Sequence, residues 1–591
     1  MPSKAGNNTK ESLKAKIDAA RGLKPAQLVI KNAKYLDVFS GKFADGDVAV
    51  FDGVIVGIGE EYEGEKVIDA KGSYIVPGFI DSHVHIESSM MTPARFQQVA
   101  MPCGTTTAIW DPHEIANVKG QEGIQWALDS SEGLLMDIFV MVPSCVPSTS
   151  ESMGFESNGF ALHADDIKKF KDHERVLGLA EMMNFPGLLH GDDEVLQKLV
   201  DFSALKRDGH CPNLLGKDLN AYGVAGIHSC HESTRLEEAQ EKLRKGIAVL
   251  IREGSCAKDA EALLPLLDAY TSATLGLCSD DRNPLDIEES GHINCIVDMA
   301  LRQGHRPEDI FRAASFAPAR IYSLEDRGAI APGYSGDFCI VKPKDGSQWK
   351  SGFDILEVYK SGEKADSTQL ATVAEKRDDS LPGKNINMQT VSEKDLKISC
   401  PDGAAKVRCI GVIPGQILTK NLELDMSSKG GQISCDLDQD ILKIGVFERH
   451  HAKSHKTVGF VQGFGLKEGA IVTSINHDSH NVIGVAANDK ALLAGIEALK
   501  DIDGGIVVVD DKGNCESLAL PLGGLMTYDE PSQVASKLKV LKAKAKSMGC
   551  ALDEPFLQLS FLALPVIPSL KITDRGIVDV DQFKIVDLIS K

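Results

Sequence analysis

Residues 74–325 alternate short apolar runs with helical periods, and this alternation constrains the fold more than any other feature of the chain. The apolar runs predict eight strands, at 74–80, 105–110, 136–142, 176–180, 205–209, 224–227, 247–251 and 275–278. Strands that alternate with helices imply a parallel sheet with right-handed crossovers. Eight units in about 250 residues match the size of a (β/α)8 barrel. A doubly wound open sheet is the alternative, but no GxGxxG motif follows the first strand, which weakens it.

The segments on either side of the predicted barrel have a different sequence pattern. Short strands separated by Gly, Asp and Asn turns occupy 25–73 and 326–360, and we expect them to form one small β-sandwich domain. Residues 1–24 read as an N-terminal tail with one short helix, and the polar stretch 361–404 reads as a linker. Mixed strand and helix patterns then predict a C-terminal α/β domain over 405–591.

Charge and cysteine usage restrict the cellular setting and the partners. The 591 residues carry a formal net charge of −21, which disfavours nucleic acid and anionic membrane as partners. The thirteen cysteines are scattered and include no CxxC pair, as is typical of reduced thiols. The first ten residues lack the apolar core of a signal peptide, and no apolar run reaches transmembrane length. We therefore expect a cytoplasmic protein.

Two histidines at the end of the first predicted strand suggest a metal site. His83 and His85 are two residues apart, so on a strand they point to the same face. Two neutral imidazoles on one side of a rigid element suit a divalent transition metal. A lone HxH is more often a surface feature, so the hypothesis depends on what the other strand ends carry.

The other strand ends supply further metal-competent side chains. They are Glu181 after strand 4, His210 after strand 5, His228 and His231 after strand 6, and Asp280 and Asp281 after strand 8. In a barrel, these ends converge on one mouth, where active sites lie. One such residue is usually structural, but a set at successive strand ends favours a metal centre.

Residues beside these candidates leave alternatives open. His113 and Glu114 follow strand 2 and could hydrogen-bond the ligands, contact a substrate or hold an additional metal. A helix start, with Asp111 as its cap, Pro112 first and Glu114 in a capping box, explains Asp111 and Glu114 but not His113.

Three other positions also have alternative interpretations. In a strand, His228 would face away from His231, which indicates a structural role. Asp281 competes with Asp280, because consecutive residues at a strand end diverge. His292 begins a helix and is either structural or a support for the ligands.

The C-terminal region contains two histidine groups. Lysines lie among His450, His451 and His455, which favours a basic surface loop over a cation site. The stretch 477–480, HDSH, has the composition of a hydrolase triad, but residues so close in sequence rarely form one. We expect a turn there that can approach the barrel mouth.

The motifs that carry these residues resemble a known family. PGFIDSHVHIESS at 77–89, with Glu181, His210, His231 and Asp280, resembles the amidohydrolase superfamily, as does ARIYSLEDRGAIAPGYSGDF at 319–338.

Longer motifs narrow the resemblance to the bacterial-type adenine deaminases. These motifs are WDPHEIANV at 110–118, GLAEMMNFPG at 178–187, CSDDRNPLDIEESGHI at 278–293, ERHH at 448–451, HDSHN at 477–481 and PFLQLSFLALPVIPSLKITDRGIVDV at 555–580. The resemblance covers about residues 25–588.

The resemblance implies a binuclear metal site. His83 and His85 would hold one ion with Asp280, and His210 and His231 would hold the second. Glu181 would bridge the two ions. Mn²⁺ or Fe²⁺ is expected, with Zn²⁺ as the alternative, because imidazole and carboxylate ligands suit all three.

The resemblance also implies a reaction, the hydrolytic deamination of adenine to hypoxanthine and ammonia in purine salvage. A metal ion lowers the pKa of bound water to near ~7, so that it can supply hydroxide. Asp280, together with the bridging Glu181, is the expected catalytic group and would carry the proton. His113, Glu114 and Asp281 are candidates for supporting or substrate-contacting roles, and Asn184, Arg282 and Ser148 are candidates for purine contacts by position alone.

Adenine and water are the expected small-molecule partners, and the protein is expected to be a homo-oligomer, a dimer. Two other functions remain as alternatives. One is an amidohydrolase that acts on a cyclic amide or an N-acyl substrate. The other is a non-catalytic barrel scaffold, although scaffolds tend to lose ligands that this chain keeps.

Overall fold

The computed structural model describes residues 9–149, 153–346, 348–372, 381 and 383–590. Residues 1–8 of the predicted tail lie outside this part of the chain. The rest of the tail contains helix α1, Lys10–Ala20, close to the short helix that the sequence predicts. Thr9 caps it, because its hydroxyl accepts a hydrogen bond from the Ser12 backbone N–H at 3.1 Å.

Seven short strands follow the tail. They are β1 (Ala26–Lys31), β2 (Lys34–Asp37), β3 (Lys42–Asp45), β4 (Val48–Phe51), β5 (Val54–Ile58), β6 (Gly64–Asp69) and β7 (Tyr74–Pro77). Strands β5, β4, β1 and β6, in that order, form a four-stranded sheet. The other three join a sheet that is completed much later in the chain.

Eight parallel strands form the centre of the molecule. They are β8 (Phe79–Val84), β9 (Thr105–Trp110), β10 (Asp137–Val142), β11 (Val176–Met182), β12 (Lys206–Gly209), β13 (Ser229–Cys230), β14 (Ala248–Arg252) and β15 (Leu275–Cys278). Strands β8 to β12 form one sheet in chain order, and β13 to β15 form a second. Burial on both faces explains their continuous apolar runs.

Backbone hydrogen bonds connect the two parallel sheets on both sides. The Asp280 N–H donates to the His83 carbonyl at 3.0 Å, and the His85 N–H donates to the Asp280 carbonyl at 3.1 Å. On the other side, the His228 N–H donates to the Arg207 carbonyl at 3.0 Å. The ends of the first and last strands are thus held next to each other.

Two of the eight predicted strands are wrong in their bounds. The predicted strand 74–80 is two strands, β7 and β8, which are separated by Gly78. A Cβ atom at Gly78 would lie 2.3 Å from Oγ1 of Thr106, so the backbone approaches this side chain closely. His83 therefore lies within β8 rather than beyond it. The predicted strand 224–227 is instead the end of a helix and a turn, and the strand is Ser229–Cys230.

Thirteen helices surround or follow the parallel strands before the C-terminal region. They are α2 (Pro93–Ala100), α3 (His113–Ser130), α4 (Ala164–Ile167), α5 (Phe185–His190), α6 (Asp193–Asp201), α7 (Gly216–Val224), α8 (Leu236–Arg244), α9 (Ala260–Leu263), α10 (Pro284–Ser290), α11 (Ile293–Gln303), α12 (Pro307–Ala313), α13 (Phe316–Ile321) and α14 (Ser367–Thr372). In the described parts of the chain, no helix is both long enough and apolar enough to span a bilayer.

The chain then returns to the sheet that it left before the parallel strands. Strands β16 (Phe338–Asp345), β17 (Gln348–Lys360) and β18 (Glu363–Lys364) add to β7, β2 and β3. The resulting six-stranded sheet has the order β18-β17-β16-β7-β2-β3. One sheet therefore combines segments from both sides of the parallel strands.

An eleven-stranded sheet dominates the C-terminal region. Its strands are β19 (Ile398–Ser399), β20 (Gly403–Val412), β21 (Thr419–Lys429), β22 (Gln432–Ile433), β23 (Ile441–Phe447), β24 (Lys456–Gln462), β25 (Ala470–Thr473), β26 (Val482–Ala486), β27 (Gly505–Val509), β28 (Cys515–Ala519) and β32 (Ile589–Ser590). Strand β32 is the last in the sequence and pairs with β20. A separate three-stranded sheet contains β29 (Leu570–Thr573), β30 (Gly576–Asp579) and β31 (Lys584–Val586). Three helices complete the region, α15 (Asp489–Asp501), α16 (Pro531–Ser547) and α17 (Pro555–Ser560).

The stretch predicted as a linker, 361–404, contributes strands to two sheets. It includes β18, α14, β19 and the start of β20, and its residues 373–380 and 382 lie outside the described part of the chain. The backbone N–H groups of Asn385 and Ile386 donate to the Asp503 carboxylate at 3.1 and 3.0 Å. Its second half thus packs against the C-terminal sheet.

The parallel strands and the C-terminal region share one apolar core. Ile115 and Val118 of α3 belong to the same buried cluster as Leu522 and Leu525. At Gly523, a Cβ atom would lie 2.8 Å from Cδ1 of Ile115, so the two segments approach too closely for a larger residue. This packing holds the C-terminal region against the end of the parallel sheet.

Candidate metal centre and active site

The strand ends bring the six predicted metal ligands together. His83 lies in β8 and His85 just beyond it, Glu181 lies in β11, and His210, His231 and Asp280 follow β12, β13 and β15. All six side chains are buried. Asp280 has a φ of 51°, a left-handed conformation that Asp adopts more readily than most residues.

One half of the cluster contains the HxH pair. The Nε2 atoms of His83 and His85 are 3.1 Å apart. Oδ1 of Asp280 is 3.5 Å from Nε2 of His83 and 3.2 Å from Nε2 of His85. Oε1 of Glu181 is 3.6 and 3.3 Å from the same two nitrogens. Two imidazoles and two carboxylates thus surround one point.

The other half of the cluster lies across Glu181. Its second oxygen, Oε2, is 2.5 Å from Nδ1 of His210 and 3.2 Å from Nε2 of His231. Each carboxylate oxygen of Glu181 therefore faces one histidine pair. A carboxylate placed in this way can bridge two cations.

The electrostatics of the cluster favour bound positive charge. Burial alone would lower the pKa of His83, but hydrogen bonds with Asp280 and Glu181 raise it to about 10. Burial would raise the pKa of Glu181, but the charges of His231 and His210 hold it well below its ordinary value. Imidazole nitrogens and carboxylate oxygens are ligands that Mn²⁺, Fe²⁺ and Zn²⁺ accept, so the donor set fits two divalent cations.

Two charged residues beside the cluster are absent from the sequence prediction. Oε1 of Glu232 is 3.5 Å from Nε2 of His231 and contacts the Arg252 guanidinium. Nη1 of Arg252 also donates to Oδ2 of Asp280 at 3.0 Å, and Nη2 donates to Asp259 at 2.8 Å. The available signals were that Glu232 directly follows a predicted ligand and that Arg252 ends the apolar run of strand 7.

His113 lies next to the ligands. Its Nδ1 is 3.0 Å from Oδ2 of Asp111 and 3.5 Å from Oε1 of Glu181. Its Nε2 is 3.3 Å from Oε1 of Glu114. Asp111 accepts the backbone N–H of His113 at 3.1 Å, but α3 begins at His113 with Pro112 at its N-cap, one residue later than the predicted helix start.

Glu114 does not form the predicted capping box. Its carboxylate faces the C-terminal region, where Oε1 is 2.5 Å from Nδ1 of His477 and Oε2 contacts Nε2 of His480. The capping prediction fails because a segment distant in sequence competes successfully for this carboxylate.

Asp281 lines the same cavity as the ligands but has a different hydrogen-bond partner. Its Oδ1 accepts a hydrogen bond from the Ser88 hydroxyl. Burial, and then the charge of Asp280, raise the pKa of Asp281 to about 6. The two consecutive aspartates therefore occupy different electrostatic environments, since burial would also raise the pKa of Asp280 but the Arg252 charge holds it well below its ordinary value.

The remaining histidines lie outside the cluster. His228 accepts the Arg207 backbone N–H at 3.4 Å, and Nε2 of His292 is 3.1 Å from Oδ2 of Asp81. His450 is half-buried, with Nε2 2.7 Å from the Ser479 carbonyl, and His451 beside it is exposed, as expected for a surface loop.

The three candidate purine contacts do not line the cavity at the cluster. The Asn184 side chain caps α5 by accepting the Gly187 N–H at 3.0 Å. The Arg282 guanidinium donates to backbone carbonyls, including that of Glu253 at 3.0 Å, and the Ser148 hydroxyl donates to Glu156 at 2.7 Å.

The C-terminal region lines one side of the cavity at the cluster. Its contribution to the cavity wall is Ile417, His477, Asp478, Phe561 and Leu564. The cavity measures about 20 Å³, which is room for about one water molecule. The predicted turn at 477–480 does approach the mouth, and the sequence prediction missed the other wall residues.

Comparison with known proteins first gives the class. Residues 74–365, which include the parallel strands and the buried His–Glu–Asp cluster, match the amidohydrolase family. Residues 416–584 match the adenine deaminase C-terminal domain.

Full-length relatives give the narrower family. The chain is 44% identical over 571 residues to an adenine deaminase of Brucella suis biovar 1 (strain 1330), covering 96% of each chain. It is 45% identical over 578 residues to an adenine deaminase of Cereibacter sphaeroides (strain ATCC 17025 / ATH 2.4.3), covering 98% of this chain and 100% of that one. A crystal structure of an adenine deaminase matches at 16% identity with a TM-score of 0.40, over 58% of this chain and 100% of that chain. The chain belongs to the adenine deaminase family.

Proposed function

We propose that this protein hydrolyses adenine to hypoxanthine and ammonia with two divalent metal ions at the His–Glu–Asp cluster. Glu181 carries this proposal, because its two oxygens face two separate histidine pairs in a buried site. We assign His83, His85 and Asp280 to one ion, His210 and His231 to the other, and Glu181 to both. Mn²⁺ and Fe²⁺ are the ions that we propose.

The metal ions supply one element of the chemistry, a lowered pKa for water at the site. The protein supplies the means to move the proton that this water loses. Asp280 is ionised at neutral pH, since the Arg252 guanidinium lowers its pKa against the effect of burial. Its carboxylate can therefore accept the proton and return it to the purine ring or to the leaving amine.

Arg252 fixes the orientation of Asp280. Its Nη1 donates to Oδ2, which leaves Oδ1 directed towards His83 and His85. Glu232 and Asp259 hold the guanidinium from its other sides. A proton carrier needs such a fixed position relative to its substrate. We assign Asp281, which accepts from Ser88, a positioning role beside it.

The small size of the cavity at the cluster also favours the proposed reaction. The cavity has room for about one water molecule, and electrostatic interactions are stronger where little water is present. The C-terminal region is also part of the proposed active site, because its side chains form one wall.

The proposal extends to the organisation of the chain. We propose that the eight parallel strands close into a barrel over 74–325, with a small β-sandwich domain from 25–73 and 326–360. The hydrogen bonds between His83, His85 and Asp280 support closure. We further propose a C-terminal domain over 405–591 and a cytoplasmic, dimeric enzyme.

A substrate panel tests the proposed function. Apoprotein is reconstituted separately with Mn²⁺, Fe²⁺ and Zn²⁺, and ammonia release is measured from adenine, adenosine and guanine, with a cyclic amide as a further substrate. We expect release from adenine with at least one metal. Hydrolysis of the cyclic amide without release from adenine would favour the other amidohydrolase function.

A further inference from the structure

A loop of the C-terminal region forms part of the active-site wall. Residues 476–481, which connect β25 and β26 and which we call the rim loop, are all buried. His477 and His480 of this loop contact the two oxygens of Glu114. The Arg449 backbone N–H donates to Oδ1 of Asn481 at 3.1 Å, and Nε2 of His450 contacts the Ser479 carbonyl at 2.7 Å. The loop is thus fixed relative to the metal ligands.

Four side-chain atoms on the rim loop lack a hydrogen-bond partner in the described part of the chain, two on Asn476 and one each on the two residues that line the cavity. The two atoms at the cavity are Oδ2 of Asp478 and Nε2 of His477, whose side chains are 1–2% exposed. Buried polar atoms without partners are costly and uncommon. A ligand in this cavity that offers both a donor and an acceptor would satisfy them.

The imidazole of His113 lies between the rim loop and the metal ligands. Oδ1 of Asp478 is 3.7 Å from Nε2 of His113, and Nδ1 of His113 is 3.5 Å from Oε1 of Glu181. A flat two-ring base whose reacting carbon faced Glu181 and Asp280 would extend its opposite edge towards Asp478. The neighbouring wall suits a flat ring, because Phe561 and His477 stack there with centroids 4.3 Å apart and ring planes 2° apart.

We propose that Asp478 and His477 recognise the edge of the free purine base that lies opposite its reacting carbon. This inference rests on the proposed function. In adenine, that edge carries the N9–H donor and the N3 acceptor. The Asp478 carboxylate accepts from N9–H, and Nε2 of His477 donates to N3.

The state of His477 supports this pairing. Burial would lower its pKa, but the Glu114 carboxylate raises it to about 9, so the ring is protonated at neutral pH and Nε2 is a donor. A purine substituted at N9, as in a nucleoside, has no N–H to offer Asp478. The sugar of a nucleoside would also lie against the rim loop. The same contact therefore selects the free base.

Binding requires a change in the wall, because the cavity of about 20 Å³ is smaller than a purine. The apolar wall residues are Met183, Ile417, Phe561 and Leu564. Their side chains can be displaced without breaking a hydrogen bond, whereas the rim loop is held by several. We therefore place the movement in the apolar wall and the recognition in the rim loop.

Asp478→Ala in the Mn²⁺-loaded, full-length protein tests the proposal. We measure kcat and KM for adenine and for 9-methyladenine, together with metal content. The expected result is a KM for adenine that rises about 10- to 100-fold, the cost of one hydrogen bond to a charged group. Metal content is expected to stay unchanged. The kcat/KM ratio of adenine to 9-methyladenine is expected to fall at least about 10-fold, since only adenine loses an interaction.

Two further variants keep the result interpretable. Asp438→Ala, at an exposed carboxylate of the same region, should leave all values unchanged. If Asp478→Ala does not fold or loses metal, Asp478→Asn, which keeps the size of the side chain, provides the same readouts. An unchanged ratio, or equal losses for the two substrates, would overturn the proposal. Wild-type protein that releases no ammonia from adenine would instead overturn the proposed function.

Discussion

Nδ1 of His477 lies 2.5 Å from Oε1 of Glu114, although the two residues belong to opposite parts of the chain. Glu114 is in the first turn of α3, next to the metal ligands, and His477 is on the rim loop. His480 contacts the other oxygen of the same carboxylate. This buried contact makes the C-terminal region a structural part of the proposed active site.

Replacement of Glu114 by Ala should destabilise the protein. The substitution leaves the imidazoles of His477 and His480 buried without their carboxylate, and breaking a buried pair in this way costs about 3–5 kcal/mol. Urea unfolding measures the free energy. Glu122→Ala, at an exposed position on the same helix, should change it by less than about 0.5 kcal/mol. Equal stability of the two variants would contradict the importance of this contact.

Replacement of His83 by Ala should abolish both metal content and ammonia release from adenine. His83 contributes one of the two imidazole nitrogens that we assign to the first ion, and alanine has no donor atom to replace it. Elemental analysis and an ammonia assay on the same preparation check this prediction. His190→Ala, at an exposed histidine, should retain both properties. Full activity with normal metal content in His83→Ala would remove His83 from the site.

Replacement of Asp280 by Asn should lower kcat at least about 100-fold at saturating Mn²⁺, the scale of lost acid–base catalysis. The amide keeps the size of the side chain but cannot accept the proton. Asp281→Asn provides the comparison, because Asp281 contacts Ser88 instead of the histidines. A near-normal kcat for Asp280→Asn, with a large loss for Asp281→Asn, would transfer the proton-carrying role to Asp281.

Local sequence patterns were sufficient for the residues at the strand ends. His83 and Glu181 could be predicted because the carboxyl ends of parallel strands lie at the same edge of the sheet, however the surrounding side chains pack. Strand 6 could not be placed, since the strand is only Ser229–Cys230 and the more apolar residues before it belong to a helix and a turn.

Contacts between distant segments could not be predicted in the same way. Glu114 fits a helix cap by spacing, and only the tertiary packing of the rim loop turns its carboxylate towards His477. Arg252 reads as the end of an apolar strand, and its role follows from the positions of Glu232 and Asp280 on neighbouring strands.

Glu156→Gln should change how stability depends on pH. Burial raises the pKa of Glu156 from 4.5 to about 8, with further contributions from Asp478 and Asp574. The folded state therefore binds more protons than the unfolded state between these values, so the free energy of unfolding of the wild type falls as pH rises through this window. The slope is roughly 1.4 kcal/mol per pH unit. Gln carries no titrating proton, so the variant lacks this decrease.

Urea unfolding at several pH values from about 5 to about 9 checks the prediction for Glu156. The stability of Glu156→Gln relative to the wild type should increase across the window and then level off. Glu122→Gln, at an exposed carboxylate, should show a constant difference. A constant difference for Glu156→Gln as well would mean that Glu156 is ionised in the folded protein.

Titration of the apoprotein with Mn²⁺, with ammonia release from adenine as the readout, tests the two-metal centre most directly. The account predicts no release without metal, a rate that rises as ions bind, and a plateau when two ions are bound per chain. Hypoxanthine should form in the same amount as ammonia. A rate that changes neither when metal is added nor when a chelator removes it would contradict the account. The absence of ammonia release with two ions bound per chain would also contradict it.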